Sequence, residues 1–167
     1  MLCFDIRSLE ARAEPVDGWL TSDDPIWGDS DARPVGDGVH VEGRISSAGH
    51  GRFFLTGRFD GVVVTTCRRC LADVTVPVAS DVQLLFAESD LEEAEEDDVV
   101  AIPVGERELD LRPAVREEWL LAVPAFALCR ESCQGICPSC GVDRNTGDCS
   151  CRPSSDPRWD ALRTLRD

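Results

Sequence analysis

The sequence predicts an α+β fold: a mainly antiparallel β-sheet core with one packed helix, then a C-terminal Cys-rich zinc-binding module ending in a short helix. Three observations carry that expectation. Between Val39 and Glu88 apolar and polar residues alternate in short runs, the period-two signature of half-buried strands. The stretch ELDLRPAVREEWLLAVP then changes to helical spacing. Six of the nine cysteines crowd between Cys129 and Cys151, a concentration that needs a chemistry of its own.

A chain of 167 residues suits one domain with a modest addition. The expected division is a β-rich core over residues 1–128 and a cysteine module over 129–167. Residues 1–37 mix charge, proline and glycine. Their apolar start, Leu2, Phe4, Ile6 and Leu9, reads as an edge strand at most. From Val39 the strand pattern takes hold, through Val41 and Ile45 and then RFFLTGRF, VVVTTC, ADVTVPV and DVQLLFAE. Gly43, Gly49, Gly51, Gly57 and Gly61 sit where turns or bulges between short strands would fall.

ESDLEEAEEDD, residues 88–98, holds eight acids in eleven positions and reads as a mobile, solvated, self-repelling loop. An acidic docking tail or a cation site is the alternative. After the short strand ELDL comes a helix over 111–123, with Asp110 as its N-cap and Pro113 in its first turn, where proline is tolerated. Val115, Trp119, Leu120 and Val123 share one face, which would pack on the sheet, and Pro124 stops the helix. DPRWDALRTLRD, with Asp156 as cap and Pro157 in the first turn, predicts the closing helix.

Charge and hydropathy exclude several function classes. All seventeen basic residues are arginine, against thirty-two acids, for a formal net charge of -15. Such a balance opposes a general phosphate-binding surface, so contact with RNA would be local or carried by a protein. No signal-peptide pattern opens the chain, and the longest apolar run, Trp119 to Leu128, is too short to span a bilayer and contains Pro124. The expected location is cytoplasmic, without a membrane partner. Thiols stay reduced there, which favours metal over disulfides for the dense cysteines.

The cysteines are residues 3, 67, 70, 129, 133, 137, 140, 149 and 151. A tetrahedral thiolate site needs four ligands, and a Cys-x2-Cys turn supplies two from one tight loop. CRRC at 67–70 and CPSC at 137–140 are two such turns. Cys137, Cys140, Cys149 and Cys151 form a compact set able to close on one zinc ion. Cys67 and Cys70 would then share a second ion with Cys129 and Cys133, across roughly sixty residues of sequence. The other partition, Cys67 and Cys70 with Cys137 and Cys140, stays open. Cys3 is left as a small apolar residue.

Redox chemistry is the competing reading of Cys-x2-Cys. A thioredoxin-type motif opens a helix, whereas CRRC lies between strand patterns and CPSC in a proline- and glycine-containing loop. Arg68 and Arg69 can offset thiolate charge. His40 and His50 belong to no catalytic constellation, and no phosphate-cradling GxxxxGK[ST] motif occurs, so no catalytic centre or small-molecule substrate is expected.

FDIRSL at 4–9, CRRCL at 67–71, the acids after LLFAE, ELDLRPAVREEWLLAVP at 108–124, CRESCQGICPSCG at 129–141 and DPRWDAL at 156–162 together resemble the YceD family of large ribosomal RNA subunit accumulation proteins. The resemblance implies a non-enzymatic bacterial cytoplasmic protein needed for large-subunit ribosomal RNA to accumulate, during processing or ribosome assembly. Its partners would be ribosomal RNA, a ribosomal protein or an rRNA-processing factor. The family's recurring CxxC and CxxxC pairs fall on Cys67, Cys70, Cys129 and Cys133. A thiol enzyme or redox sensor, and a zinc-stapled interaction adaptor, are the other functional readings.

Overall fold

The computed structural model describes residues 2–96, 98–151 and 158. The chain divides into two compact units, residues 1–65 with 74–127, and residues 66–73 with 128–167. A single division at 128/129 would leave CRRC with the core; the structure groups that loop with the C-terminal cysteines instead. The helix expected over DPRWDALRTLRD falls, apart from Arg158, outside the described residues.

The first unit is built on a five-stranded sheet in the order β2-β3-β4-β5-β6, with β2 Glu14–Leu20, β3 Pro34–Gly49, β4 Arg52–Thr66, β5 Asp73–Glu88 and β6 Val99–Ile102. The β2–β3 and β3–β4 ladders are antiparallel; β5 and β6 pair in parallel. A second, two-stranded sheet joins β1 (Cys3–Asp5) to β7 (Glu108–Asp110). Two helices complete the unit, α1 (Ile6–Ala11) and α2 (Arg112–Ala122). The α+β class with a mainly antiparallel sheet is therefore the observed one.

The N-terminal third is more ordered than its mixed composition predicts. Asp5 caps α1 by accepting from the Ser8 backbone N–H at 3.0 Å. In β2, Val16, Gly18 and Leu20 turn inward while Asp17 and Trp19 turn out. Asp24 starts a 3-10 turn, Pro25–Trp27, that drives Trp27 fully into the core.

The runs read from the sequence as separate short strands fuse into three long ones, and the reason lies in the glycines. Gly43 and Gly57 face each other across β3 and β4. A Cβ on Gly57 would lie 2.2 Å from the Glu42 carbonyl oxygen and 2.8 Å from the Gly43 Cα. These glycines serve close backbone approach within a continuous ladder, not chain reversal. Gly57→Ala should accordingly cost about 1–3 kcal/mol through overpacking, read as a lower urea midpoint at unchanged m-value.

Helix α2 begins with Leu111 at its cap position, one residue later than expected. Asp110 still serves its start, because Oδ1 accepts from the Arg112 backbone N–H at 2.9 Å and Oδ2 from the Arg112 guanidinium at 2.8 Å. Val115 and Trp119 of the expected face are buried, with Ala114 beside them, while Leu120 and Val123 are only partly buried against the core. Trp119 is wholly enclosed, edge-on to Trp27 at 6.5 Å and tilted against Phe59 at 6.3 Å, and its indole N–H donates to the Ala32 carbonyl at 2.7 Å. Within the acidic stretch, Glu92–Glu95 forms a 3-10 turn and Glu93 pairs with Arg52 at 2.7 Å.

Candidate metal centres

Two turns of one design carry the cysteine pairs. In CRRCL the Leu71 N–H donates to the Cys67 carbonyl at 2.9 Å and the Cys67 N–H to the Ala72 carbonyl at 2.8 Å. In CPSCG the Gly141 N–H donates to the Cys137 carbonyl at 2.9 Å and the Cys137 N–H to the Val142 carbonyl at 2.8 Å. Both turns need a left-handed residue after the second cysteine. Gly141 meets that need at φ 73°, whereas Leu71 does so at φ 61° while 61% exposed. Leu71→Gly should therefore raise stability by up to about 1 kcal/mol, and Gly141→Ala should lower it, both read by thermal unfolding.

All eight sequence-predicted ligands lie in the second unit, in two groups of four sulfurs. Cys67, Cys70, Cys129 and Cys133 form one group and Cys137, Cys140, Cys149 and Cys151 the other, with the sulfurs of each group within 4.8 Å of one another. In the first, Cys67 and Cys133 stand 3.8 Å apart and Cys70 and Cys129 3.6 Å. Zinc–sulfur bonds of about 2.3 Å give a tetrahedron whose edge is close to 3.8 Å, so these separations fit four thiolates around one ion. A disulfide would bring two sulfurs to about 2.05 Å. Cys67, Cys133 and Cys137 are buried, Cys70 and Cys149 half-buried, and the other three ligands exposed. Cys3 belongs to neither group; it is half-buried opposite Asp110 in the two-stranded sheet.

Backbone donors prepare each group for negative charge. The N–H groups of Cys70, and then of Cys129, hold the Cys67 thiol down to about 6. Those of Cys140 and Ser139 do the same for Cys137, also to about 6. Neighbouring sulfurs act the other way, Cys133 foremost in pushing Cys129 up to about 12, and Cys140 foremost in pushing Cys151 up to about 12. Some thiols thus ionise readily, Cys67 and Cys133 in the first group and Cys137 in the second, while Cys129 and Cys151 hold their protons in hydrogen bonds to neighbouring sulfurs, so four thiolates do not coexist unaided. A divalent cation removes that conflict, and the two groups could each hold a metal ion.

Around the first group two residues act that sequence reasoning did not single out as ligand supports. Asn145, in the loop between Cys140 and Cys149, donates from Nδ2 to the Cys133 sulfur at 3.5 Å. Its Oδ1 accepts from the Gln134 N–H and the Arg130 guanidinium, both at 2.9 Å, and Asp143 Oδ1 takes its backbone N–H at 2.9 Å. Arg69 donates to the Cys133 carbonyl at 2.9 Å and the Glu131 carbonyl at 3.2 Å, holding the backbone that presents Cys133. Asn145 lies in the loop between the second group's cysteine pairs, and only its folding beside Cys133 shows that the amide serves the first group. Asn145→Ala should weaken metal binding at the first group by about 10–100-fold, as loss of an outer hydrogen bond to a ligand does, measured by competition with a chromophoric chelator.

A family model described as "Large ribosomal RNA subunit accumulation protein YceD" matches residues 55–166. An uncharacterized protein of Mycobacterium tuberculosis is 33% identical over 121 residues, covering 71% of this chain and 58% of the relative. A maize protein named large ribosomal RNA subunit accumulation protein YCED homolog 1, chloroplastic, is 25% identical over 183 residues, covering 89% of this chain and 59% of the relative. The Arabidopsis thaliana protein of the same name is 27% identical over 142 residues, 66% of this chain and 44% of the relative. The chain thus spans less than three fifths of the length of these relatives. No solved structure matches it. Among the described residues no helix is long and apolar enough to cross a membrane. With the family model covering most of the chain, from β4 through both sulfur groups, the chain belongs to the YceD family.

Proposed function

We propose that this chain is a non-enzymatic factor, stabilised by two zinc ions, that supports the accumulation of large-subunit ribosomal RNA during its processing or assembly. The observation that carries the reading is the pair of four-sulfur groups inside the segment the family model covers. Cys67, Cys70, Cys129 and Cys133 would hold one ion, and Cys137, Cys140, Cys149 and Cys151 the other. Four thiolates leave no open coordination position, which suits a structural ion and not a catalytic one. Zinc, having no redox chemistry of its own, is the ion that fits this closed role.

The partners follow from charge. The first unit holds nine arginines against twenty-five acids, the second eight against seven. So acidic a body attracts basic ribosomal proteins or basic processing factors, and its effect on ribosomal RNA would be exerted through them. The test is depletion in the native organism, followed by sedimentation of ribosomal particles and measurement of both ribosomal RNAs. A selective fall in large-subunit RNA and particles is expected; unchanged levels would refute the proposal.

A further inference from the structure

The outer face of the five-stranded sheet carries an aromatic and acidic constellation that the zinc groups do not involve. Trp19 of β2, His40 of β3 and Asp60 of β4 are register partners and form one row across three strands. The Trp19 ring stacks on His40 with centroids 4.7 Å apart and planes at 26°, yet Trp19 remains 48% exposed. His40 Nε2 lies 2.9 Å from Asp17 Oδ1, and its Nδ1 4.0 Å from Asp60 Oδ1. Beside this row the β3–β4 ladder slips between Val35 and Val39, lifting residues 36–38 out of register. That bulge borders a groove of about 490 Å³ whose lining includes Trp19, Val35, Val62 and Pro77 together with Asp37 and Asp60.

Each part has a physical consequence. A large indole on a strand at the sheet edge presents an electron-rich ring face, and cations, Arg above all, bind such faces. Two carboxylates in the same lining add Coulomb attraction, and no arginine is among the described lining residues to cancel it. One row along, Asp17, Glu42 and Arg58 are register partners, so that row too carries an excess of acid beside the groove. The surrounding unit, with its large excess of acids, repels phosphate and draws in basic chains.

The geometry points to this groove as the docking site for an arginine-bearing basic segment of a partner protein, with a guanidinium held between the Trp19 ring and the carboxylates of Asp37 and Asp60. The apolar walls, Val35, Val62 and Pro77, suit the methylene stem behind the charge. This deepens the assembly-factor reading by naming a surface and a partner class. Its test reads peptide binding alone, so it and the ribosomal RNA reading can fail separately.

The experiment titrates the zinc-loaded full chain with a fluorescein-labelled ten-residue Arg-rich peptide at physiological salt. The controls are the same peptide with Gln in place of Arg and a single-stranded RNA of equal length. Saturable binding of the Arg peptide is expected, lost roughly tenfold or more in Trp19→Ala and similarly in Asp37→Asn/Asp60→Asn. Glu92→Gln/Glu95→Gln removes the same charge from the acidic turn and should change affinity less than about twofold. Circular dichroism and zinc content matching the parent establish that the variants fold. Equal binding of the Gln peptide, preference for RNA, or equal loss in the Glu92/Glu95 control would overturn the proposal. So would Trp19-dependent self-association without peptide binding, which would assign the face to a second copy.

Discussion

Cys70→Ser is expected to release the metal from the first four-sulfur group and to cut the zinc content of the chain by half. The variant keeps three thiols within 4.8 Å of one another but loses the donor that stands 3.6 Å from Cys129. Ser offers a hydroxyl that does not ionise near neutral pH, so the charge matched to the cation falls as well as the ligand count. Because zinc binding of this kind is itself folding free energy, the second unit should become susceptible to protease at 66–73 and 128–136, segments the group ties together. Inductively coupled plasma analysis and limited proteolysis read the two effects. A variant with two zinc ions and the parent's protease resistance would contradict the assignment. Asn145 adds a refinement: it sits in the loop between the second group's cysteine pairs and donates to the Cys133 sulfur. Cys149→Ser should therefore also weaken the first group, not only its own.

Trp119→Ala is the second large effect. Trp119 is fully buried in the first unit and its indole N–H is paired with the Ala32 carbonyl at 2.7 Å. Truncation opens a cavity against Trp27 and Phe59 and leaves the Ala32 oxygen unpaired, together about 3–5 kcal/mol. Against a total stability of about 5–15 kcal/mol, that brings the variant close to unfolding at physiological temperature. Urea denaturation followed by circular dichroism measures it. A loss below about 0.5 kcal/mol would mean that the α2 face is not part of the core.

How far the sequence discloses these features depends on the range of the interactions. The α2 face was legible because helical spacing is local: Val115 and Trp119 are four apart and both buried. Strand character between Val39 and Glu88 was legible for the same reason. What was not legible depends on partners distant in sequence. Gly43 and Gly57 look like turn residues until β3 and β4 are set side by side. EPVDGWL does not look like a strand, since Pro, Asp and Gly weaken the pattern; it becomes one by pairing along the edge of β3. The two-stranded sheet pairs Cys3–Asp5 with residues more than one hundred positions away.

The candidate site divides in the same way. The eight thiols could be picked out from spacing, because a Cys-x2-Cys turn supplies two donors locally, but spacing left two partitions open, and only the fold sets Cys67 and Cys70 beside Cys129 and Cys133. The supports of that site could not. Leu71 takes a backbone conformation that its side chain disfavours, and nothing in CRRCL announces it. Asn145 and Arg69 reach the first group only through the fold of the second unit. The net charge likewise hid a segregation: all of the acid excess belongs to the unit without the eight clustered thiols. That shifts the search for basic partners to the sheet.

The measurement that bears most directly on the account is metal stoichiometry joined to X-ray absorption at the metal edge, on the chain purified without added chelator. Two zinc ions per chain, each with four sulfur neighbours at about 2.3 Å, are predicted. Iron in place of zinc, fewer than two ions at saturation, or a metal-free chain with its cysteines oxidised in pairs would contradict it.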